Sequence, residues 1–112
     1  MTKVEKSKTL QKSGLRGYIV RISDTVFDLL GVAEGHEYTM FCRDGALCLT
    51  ADRQDKELYG DDFITYGSRR VDGKLSIPPE WVAKHGWQQT VTKLEKYLED
   101  VGGVKIVKLV LA

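Results

Sequence analysis

The sequence holds few of the residues that build cross-links or metal sites. Its 112 residues include two cysteines and two histidines. Cys42 and Cys48 flank the turn Asp44-Gly45, and a two-residue hairpin there pairs position 43 with 46, 42 with 47 and 41 with 48. The two thiols then lie on opposite faces of the hairpin, where they cannot form a disulfide. Because His36 and His85 add no zinc-ligand spacing, we expect no metal and no cofactor.

Long apolar runs are also missing. None approaches the roughly 20 residues that a membrane helix needs. The lysine-rich stretch from Met1 to Ser13 has no apolar segment of the kind that secretory signals carry. We therefore expect a cytoplasmic protein that does not associate with membranes. Hydrophobic residues make up 42% and charged residues 29% of the chain, which is typical of a globular protein.

Charge is distributed unevenly, although the net charge is only +1. Residues 1–21 hold six basic residues and one acid, whereas residues 52–62 hold five acids and two basic residues. The basic end suits contact with a polyanion such as nucleic acid. A solvated, disordered tail explains the same charges equally well. We predict a basic flexible tail over residues 1–13 and an acidic linker over residues 52–63.

The first half of the chain predicts a strand, a short helix and a hairpin. Ser23 is suited to cap a helix over residues 24–30, and Gly31 stands where a helix-ending glycine belongs. The dipeptide Asp44-Gly45 between apolar runs is a strong signal for a tight hairpin turn. The segments rich in β-branched, aromatic and other apolar residues are predicted strands, at 17–23, 38–43 and 46–50.

The second half repeats this order. Pro78-Pro79 ends a strand and begins a short helix over residues 80–84, because proline suits a first helical turn. Residues 91–98 fit a helical period as well as a strand, and we predict a strand because the repeat requires one. The remaining strands are predicted at 64–70, 74–77 and 104–111. Residues 14–51 and 64–112 thus form two tandem β-β-α-β-β repeats, each too small to bury a core alone.

Two stretches resemble the AbrB/MazE/SpoVT looped-hinge family. The first runs from Ser23 to Tyr38 and continues in the Asp44-Gly45 hairpin, and Lys12-Ser13-Gly14 is similar to the lysine-rich start of that family. The second runs from Arg69 to Trp87, with a basic pair, Val-Asp-Gly-Lys, Ile-Pro and a helix ending in His-Gly. The similarity covers about residues 8–50 and 66–111. Two copies in one chain resemble the MraZ arrangement.

Some positions depart from the family pattern. Ser23 stands where proline is usual, and Ile19 stands where an arginine would fall. On the second helix, Glu80 and Lys84 have the spacing of the Asp-x-x-x-Arg signature of MraZ-type chains, with different residues. These departures leave open whether one copy or both contact DNA.

The resemblance implies a mainly β fold with two short helices, in which the repeats form one pseudo-two-fold, swapped-hairpin β-barrel of eight strands. It also implies a regulator that contacts duplex DNA with the first hairpin of each copy. Arginine can grip phosphates or guanine edges in two-point fashion, and lysine adds affinity by counterion release. The basic residues at those places are Lys12, Arg16, Arg21, Arg69, Arg70 and Lys74. Charges that keep an exposed strand edge soluble are the alternative explanation for the second three.

Other functions have less support in the sequence. Asp24 and Asp28 share a helix face, as acid–base carboxylates would, but helix capping and solvation explain them better, and we expect no enzyme. The aromatic residues Trp81, Trp87 and Tyr97 are expected in the core rather than stacked on bases. The alternative function is a protein-interaction module, or an antitoxin-like partner-binding protein, on the same barrel. A monomeric pseudo-dimer and a homo-oligomer both remain open.

Overall fold

A computed structural model describes residues 2–12, 18–51, 56–85 and 92–111. Within these ranges the chain is mainly β, with two α-helices and two 3-10 turns. The strands are β1 Thr2–Lys12, β2 Tyr18–Arg21, β3 Glu37–Arg43, β4 Ala46–Ala51, β5 Phe63–Ser68, β6 Lys74–Ile77, β7 Thr92–Val101 and β8 Val104–Leu111. The helices are α1 Asp24–Leu30 and α2 Pro79–Lys84, and the 3-10 turns are Lys56–Leu58 and Gly60–Asp62. In the described ranges, neither helix is long and apolar enough to cross a membrane.

The strands form one antiparallel sheet in the order β5-β3-β4-β8-β7-β1-β2-β6. The sheet is open, because β5 and β6 end the order and no described ladder joins them. The prediction of a closed barrel was therefore wrong. The connection between the two strands explains the opening: Arg69 exchanges backbone hydrogen bonds with Gly35 and His36, while the Gly73 carbonyl accepts from the Ile22 amide. These bonds direct β5 towards β3 and β6 towards β2.

Helix α1 forms as the sequence predicts. The Ser23 hydroxyl accepts a hydrogen bond from the Val26 amide at 3.3 Å, which satisfies one of the free N–H groups of the first turn. Gly31 ends the helix at φ 89°, a conformation that costs glycine little. The helix buries one apolar face, formed by Val26, Phe27 and Leu30.

The β3–β4 hairpin has the predicted register. Arg43 pairs with Ala46, Cys42 with Leu47 and Phe41 with Cys48. Asp44 and Gly45 both have positive φ, at 53° and 76°, as a type I′ turn requires. Cys42 and Cys48 are free cysteines, and this register places them on opposite faces of the hairpin, as predicted.

Strand β7 covers Thr92–Val101 and settles the ambiguous segment as strand. The N-terminal segment differs from its prediction: residues 2–12 are strand β1, which pairs with β7, and Lys12 lies opposite Tyr18 on β2. A lysine-rich segment can take this place because ladder hydrogen bonds use the backbone alone. In the expected acidic linker, two 3-10 turns lie within residues 56–62, and residues 52–55 lie outside the described ranges.

Both halves of the chain contribute to one main core. It includes Val20, Phe27 and Met40 from the first half and Leu75, Trp81 and Leu109 from the second, all buried. A small cluster contains Phe41, Ala46, Cys48 and Ile106. Trp81 is a core residue, as predicted, whereas Trp87 lies outside the described residues.

Candidate nucleic-acid interface

The structure describes the side chains of four of the six predicted DNA-contacting residues. Arg16 lies outside the described ranges. Lys12 ends β1, but the description there covers only the backbone. The other four separate into one buried arginine, Arg69, and three more exposed cations on or beside β2 and β6.

Arg69 binds within the protein. Its side chain is only 8% exposed, and its guanidinium donates to Asp28 Oδ1 at 2.8 Å and to Asp24 Oδ1 at 3.0 Å. It also donates to the buried carbonyl of Val32 at 2.8 Å and lies 5.3 Å from the centre of the Phe27 ring. The hydrogen bonds to Asp28 and Asp24 and their negative charges raise its pKa, against the opposing effect of burial.

Arg69 therefore leaves the set of candidate DNA contacts, because it is buried and both terminal nitrogens of its guanidinium already donate to α1 or to the Val32 carbonyl. This contact also gives Asp24 and Asp28 a role that the sequence analysis missed. Two acids spaced by four on one helix face can hold a single guanidinium. Sequence spacing does show that the two carboxylates share a face, but the partner lies more than 40 residues away along the chain.

The three remaining cations form a cluster. Arg21 and Lys74 lie directly opposite each other in the β2–β6 ladder. Arg70 forms an ion pair of 3.3 Å with Asp72, and Asp72 accepts a hydrogen bond from the Lys74 amide at 3.0 Å. The pKa of Asp72 is lowered by that backbone N–H first, and then by the positive charges of Arg70, Lys74 and Arg21. We call Arg21, Arg70 and Lys74 the cationic cluster.

The positive charge of the cluster is only partly compensated within the protein. Like charges directly opposite each other in a ladder are unfavourable, and Asp72 is one carboxylate among three cations. Arg70 is 57% exposed, Arg21 is exposed and Lys74 is half-buried. Asp24 lines the same cavity of about 250 Å³ as Arg21 and Asp72, so acid borders the cluster on the α1 side. The arrangement can hold an anionic oxygen on its open side.

Asp72 is the residue at this site that sequence analysis did not single out. An aspartate two residues before a backbone amide forms an Asx turn, so the turn itself was readable from Val71-Asp72-Gly73-Lys74. Glu80 and Lys84, the echo of the MraZ-type signature, line a different cavity. Among the described residues, no group of three or more His, Cys, Asp or Glu side chains is placed to hold a metal ion.

Comparison with known proteins identifies no significantly similar protein. No protein-family model matches the chain, and neither the curated proteins nor the solved structures contain a significant match. The resemblance to the looped-hinge family therefore stays a prediction from the sequence.

Proposed function

We propose that this protein is a DNA-binding transcriptional regulator of the AbrB-like type that contacts duplex DNA with Arg21, Arg70 and Lys74. The observation that carries the proposal is the gathering of these three cations around the single carboxylate of Asp72, on the outside of the sheet. DNA binding agrees with the cytoplasmic location that the composition predicts.

The chemistry of the cluster suits phosphate. Arginine offers planar, two-point hydrogen bonding, and lysine offers a mobile charge. Each phosphate contact contributes about −0.9 to the dependence of log affinity on log salt, so three contacts give a slope of about −3.

The ladder pattern supports the tandem-repeat arrangement. If strands β1–β4 are exchanged with β5–β8, the ladders β3–β4 and β7–β8 exchange, as do β3–β5 and β7–β1. The ladders β4–β8 and β2–β6 map onto themselves. Only β1–β2 has no counterpart, and that counterpart is the β5–β6 ladder that would close the sheet. We infer a swapped-hairpin pseudo-dimer that is open at one seam.

A fluorescence-anisotropy titration of labelled duplex DNA at two salt concentrations tests the function. The wild type should bind in a salt-dependent way, and the double variant Arg70→Ala/Lys74→Ala should lose most of the affinity. The matched control Lys56→Ala/Lys105→Ala removes the same charge from exposed positions away from the cluster and should bind like the wild type. An equal loss of affinity in both double variants would mean that binding depends on overall charge and not on this cluster. Unchanged affinity in Arg70→Ala/Lys74→Ala would mean that the cluster does not contact DNA.

A protein-interaction function is the second candidate, and the open seam favours it. The outer edges of β5 and β6 border a cavity of about 300 Å³ lined by residues of both strands, including Thr65, Gly67 and Ser76. Open strand edges are places where an extended segment of a partner can add to a sheet. Wild-type protein that fails to bind duplex DNA even at low salt would favour this second function.

A further inference from the structure

A cavity separate from the cationic cluster holds a cysteine and a histidine in contact. It has a volume of about 380 Å³ and lies between β3, the start of β5 and helix α2. Cys42 Sγ and His85 Nε2, which both line it, are 3.7 Å apart, within hydrogen-bonding distance for sulfur. Cys42 is only partly buried, so small molecules in the cavity can reach its thiol.

The surroundings of His85 fix which ring nitrogen faces the thiol. Nδ1 lies 3.1 Å from the carbonyl oxygen of Trp81. Because a carbonyl can only accept a hydrogen bond, Nδ1 carries the proton in the neutral ring and Nε2 carries the lone pair. The ring also stacks on Trp81, with centroids 4.2 Å apart, which holds it in this orientation. Nε2 is thereby placed as an acceptor for the Cys42 S–H.

The second cysteine shows what this environment adds. Cys48 lies on the opposite face of the same hairpin and is fully buried, and its thiol donates to the Ala46 carbonyl at 3.8 Å. Burial raises the pKa of the Cys48 thiol to about 11. One short hairpin therefore carries an enclosed thiol and a thiol paired with a base in an open cavity.

We propose that Cys42 and His85 form a thiol–imidazole pair that makes Cys42 a modification site, reactive towards small neutral electrophiles, with hydroperoxides as the oxidising case. A nucleophile, a base within reach and a third group that orients the base are the features of an activated thiol. Here they are Cys42, His85 and the Trp81 carbonyl.

The reaction balances without any further reactant. The thiol proton passes to His85 Nε2, and the thiolate attacks the terminal oxygen of the hydroperoxide. The S–O bond forms as the O–O bond breaks, and the leaving oxygen takes the proton from the imidazolium. The sulfur is oxidised by two electrons to sulfenic acid, and the peroxide is reduced to water or an alcohol.

The charges around the cavity decide which electrophiles enter. Asp61 and Asp62 face it from the 3-10 turn before β5, and Glu80 and Lys84 face it from α2. Three carboxylates against one ammonium favour neutral reagents over anionic ones.

Alkylation of the two cysteines in the full chain, followed by peptide mapping, tests the pair. At about pH 7, iodoacetamide should modify Cys42 of the native protein faster than Cys42 in urea, where it is an ordinary thiol, and Cys48 should show the reverse. His85→Gln should slow the alkylation of Cys42 roughly tenfold, because a glutamine side chain cannot take up the thiol proton. Iodoacetate should be disfavoured at native Cys42 relative to Cys42 in urea.

Other results would overturn the proposal. If native Cys42 reacts no faster than in urea, the contact with His85 is only a structural link between β3 and α2. Labelling of Cys48 in His85→Gln would show that this variant is unfolded. In that case the proposal is decided by the wild type alone, from the ratio of the Cys42 alkylation rates in the native protein and in urea. After hydrogen peroxide, dimedone should trap a sulfenic acid on Cys42 and not on Cys48, and an adduct on neither would remove the oxidising case.

Discussion

Arg69 and Arg70 are neighbours in the sequence but belong to two different environments. Arg69 is 8% exposed and ion-paired to two carboxylates of α1, whereas Arg70 is 57% exposed and shares the single carboxylate of Asp72 with two other cations. The backbone bonds of Arg69 to the loop before β3 accompany a side chain that is directed inward, and Arg70 follows in the exposed turn. Residue type alone did not distinguish the buried, ion-paired arginine from the exposed one.

The largest expected effect is the difference in the free energy of unfolding between the alanine variants of Arg69 and Arg70. Arg69→Ala should lower the free energy of unfolding by about 2 kcal/mol, because it removes the hydrogen bonds of a buried guanidinium and leaves the buried Val32 carbonyl without this donor. Arg70→Ala should change it by less than about 0.5 kcal/mol, as is usual for exposed residues. Urea unfolding measures both, and equal losses would mean that the two environments do not differ energetically.

A second test adds a methyl group at Gly67, near the end of β5 that precedes Arg69. Gly67 lies opposite Tyr38 in the β3–β5 ladder, and a Cβ atom there would overlap the Tyr38 ring. Tyr38 is buried and cannot move aside freely, so Gly67→Ala should cost about 2 kcal/mol in urea unfolding. Ser68→Ala, one residue further and exposed, is the matched control and should be nearly neutral. A neutral Gly67→Ala would show that the Tyr38 ring has room to shift.

Alkaline pH should lower the stability of the fold through the buried thiol of Cys48. Burial raises the pKa of Cys48 from 9.0 to about 11, so the folded state favours the neutral thiol. The stabilisation is complete below about pH 9, where the thiol stays protonated even when unfolded, and is lost as the pH rises towards 11. The free energy of unfolding should therefore fall over this range by about 2 kcal/mol, which lowers the urea midpoint. Cys48→Ala should reduce the slope, and the control Cys42→Ala should keep it. Part of the slope should remain in Cys48→Ala, because burial also raises the pKa of Tyr38, to about 12.

Removing the acid from the cationic cluster should have the smallest effect. Asp72→Asn keeps the oxygen that accepts from the Lys74 amide and deletes the negative charge. Affinity for duplex DNA should rise about twofold to fivefold, the size expected for one exposed charge, and the salt dependence should steepen. Asp44→Asn, in the distant β3–β4 turn, controls for net charge. An unchanged or weaker affinity in Asp72→Asn would count against the cluster as the DNA-contacting surface.

Local sequence patterns predicted most of the secondary structure. Ser23, Gly31 and Asp44-Gly45 predicted the boundaries of α1 and the register of the β3–β4 hairpin, because caps and tight turns depend on a few adjacent residues. The strand predicted over residues 91–98, where the structure has β7, was obtained from the repeat rather than from periodicity. The closed barrel and the flexible tail were not found, since both depended on which distant strand edges meet.

The sequence by itself determined the strands other than β1, the two α-helices, the register of the β3–β4 hairpin and the placement of the two cysteines on its opposite faces. Tertiary structure decided which distant side chains meet. It paired Arg69 with Asp24 and Asp28, grouped Arg21 with Arg70 and Lys74, and placed His85 against Cys42. The physical reason is distance along the chain. Capping and turn preferences act over a few residues, whereas an ion pair or a thiol–imidazole contact depends on packing between segments about 40 residues apart, which no local pattern encodes.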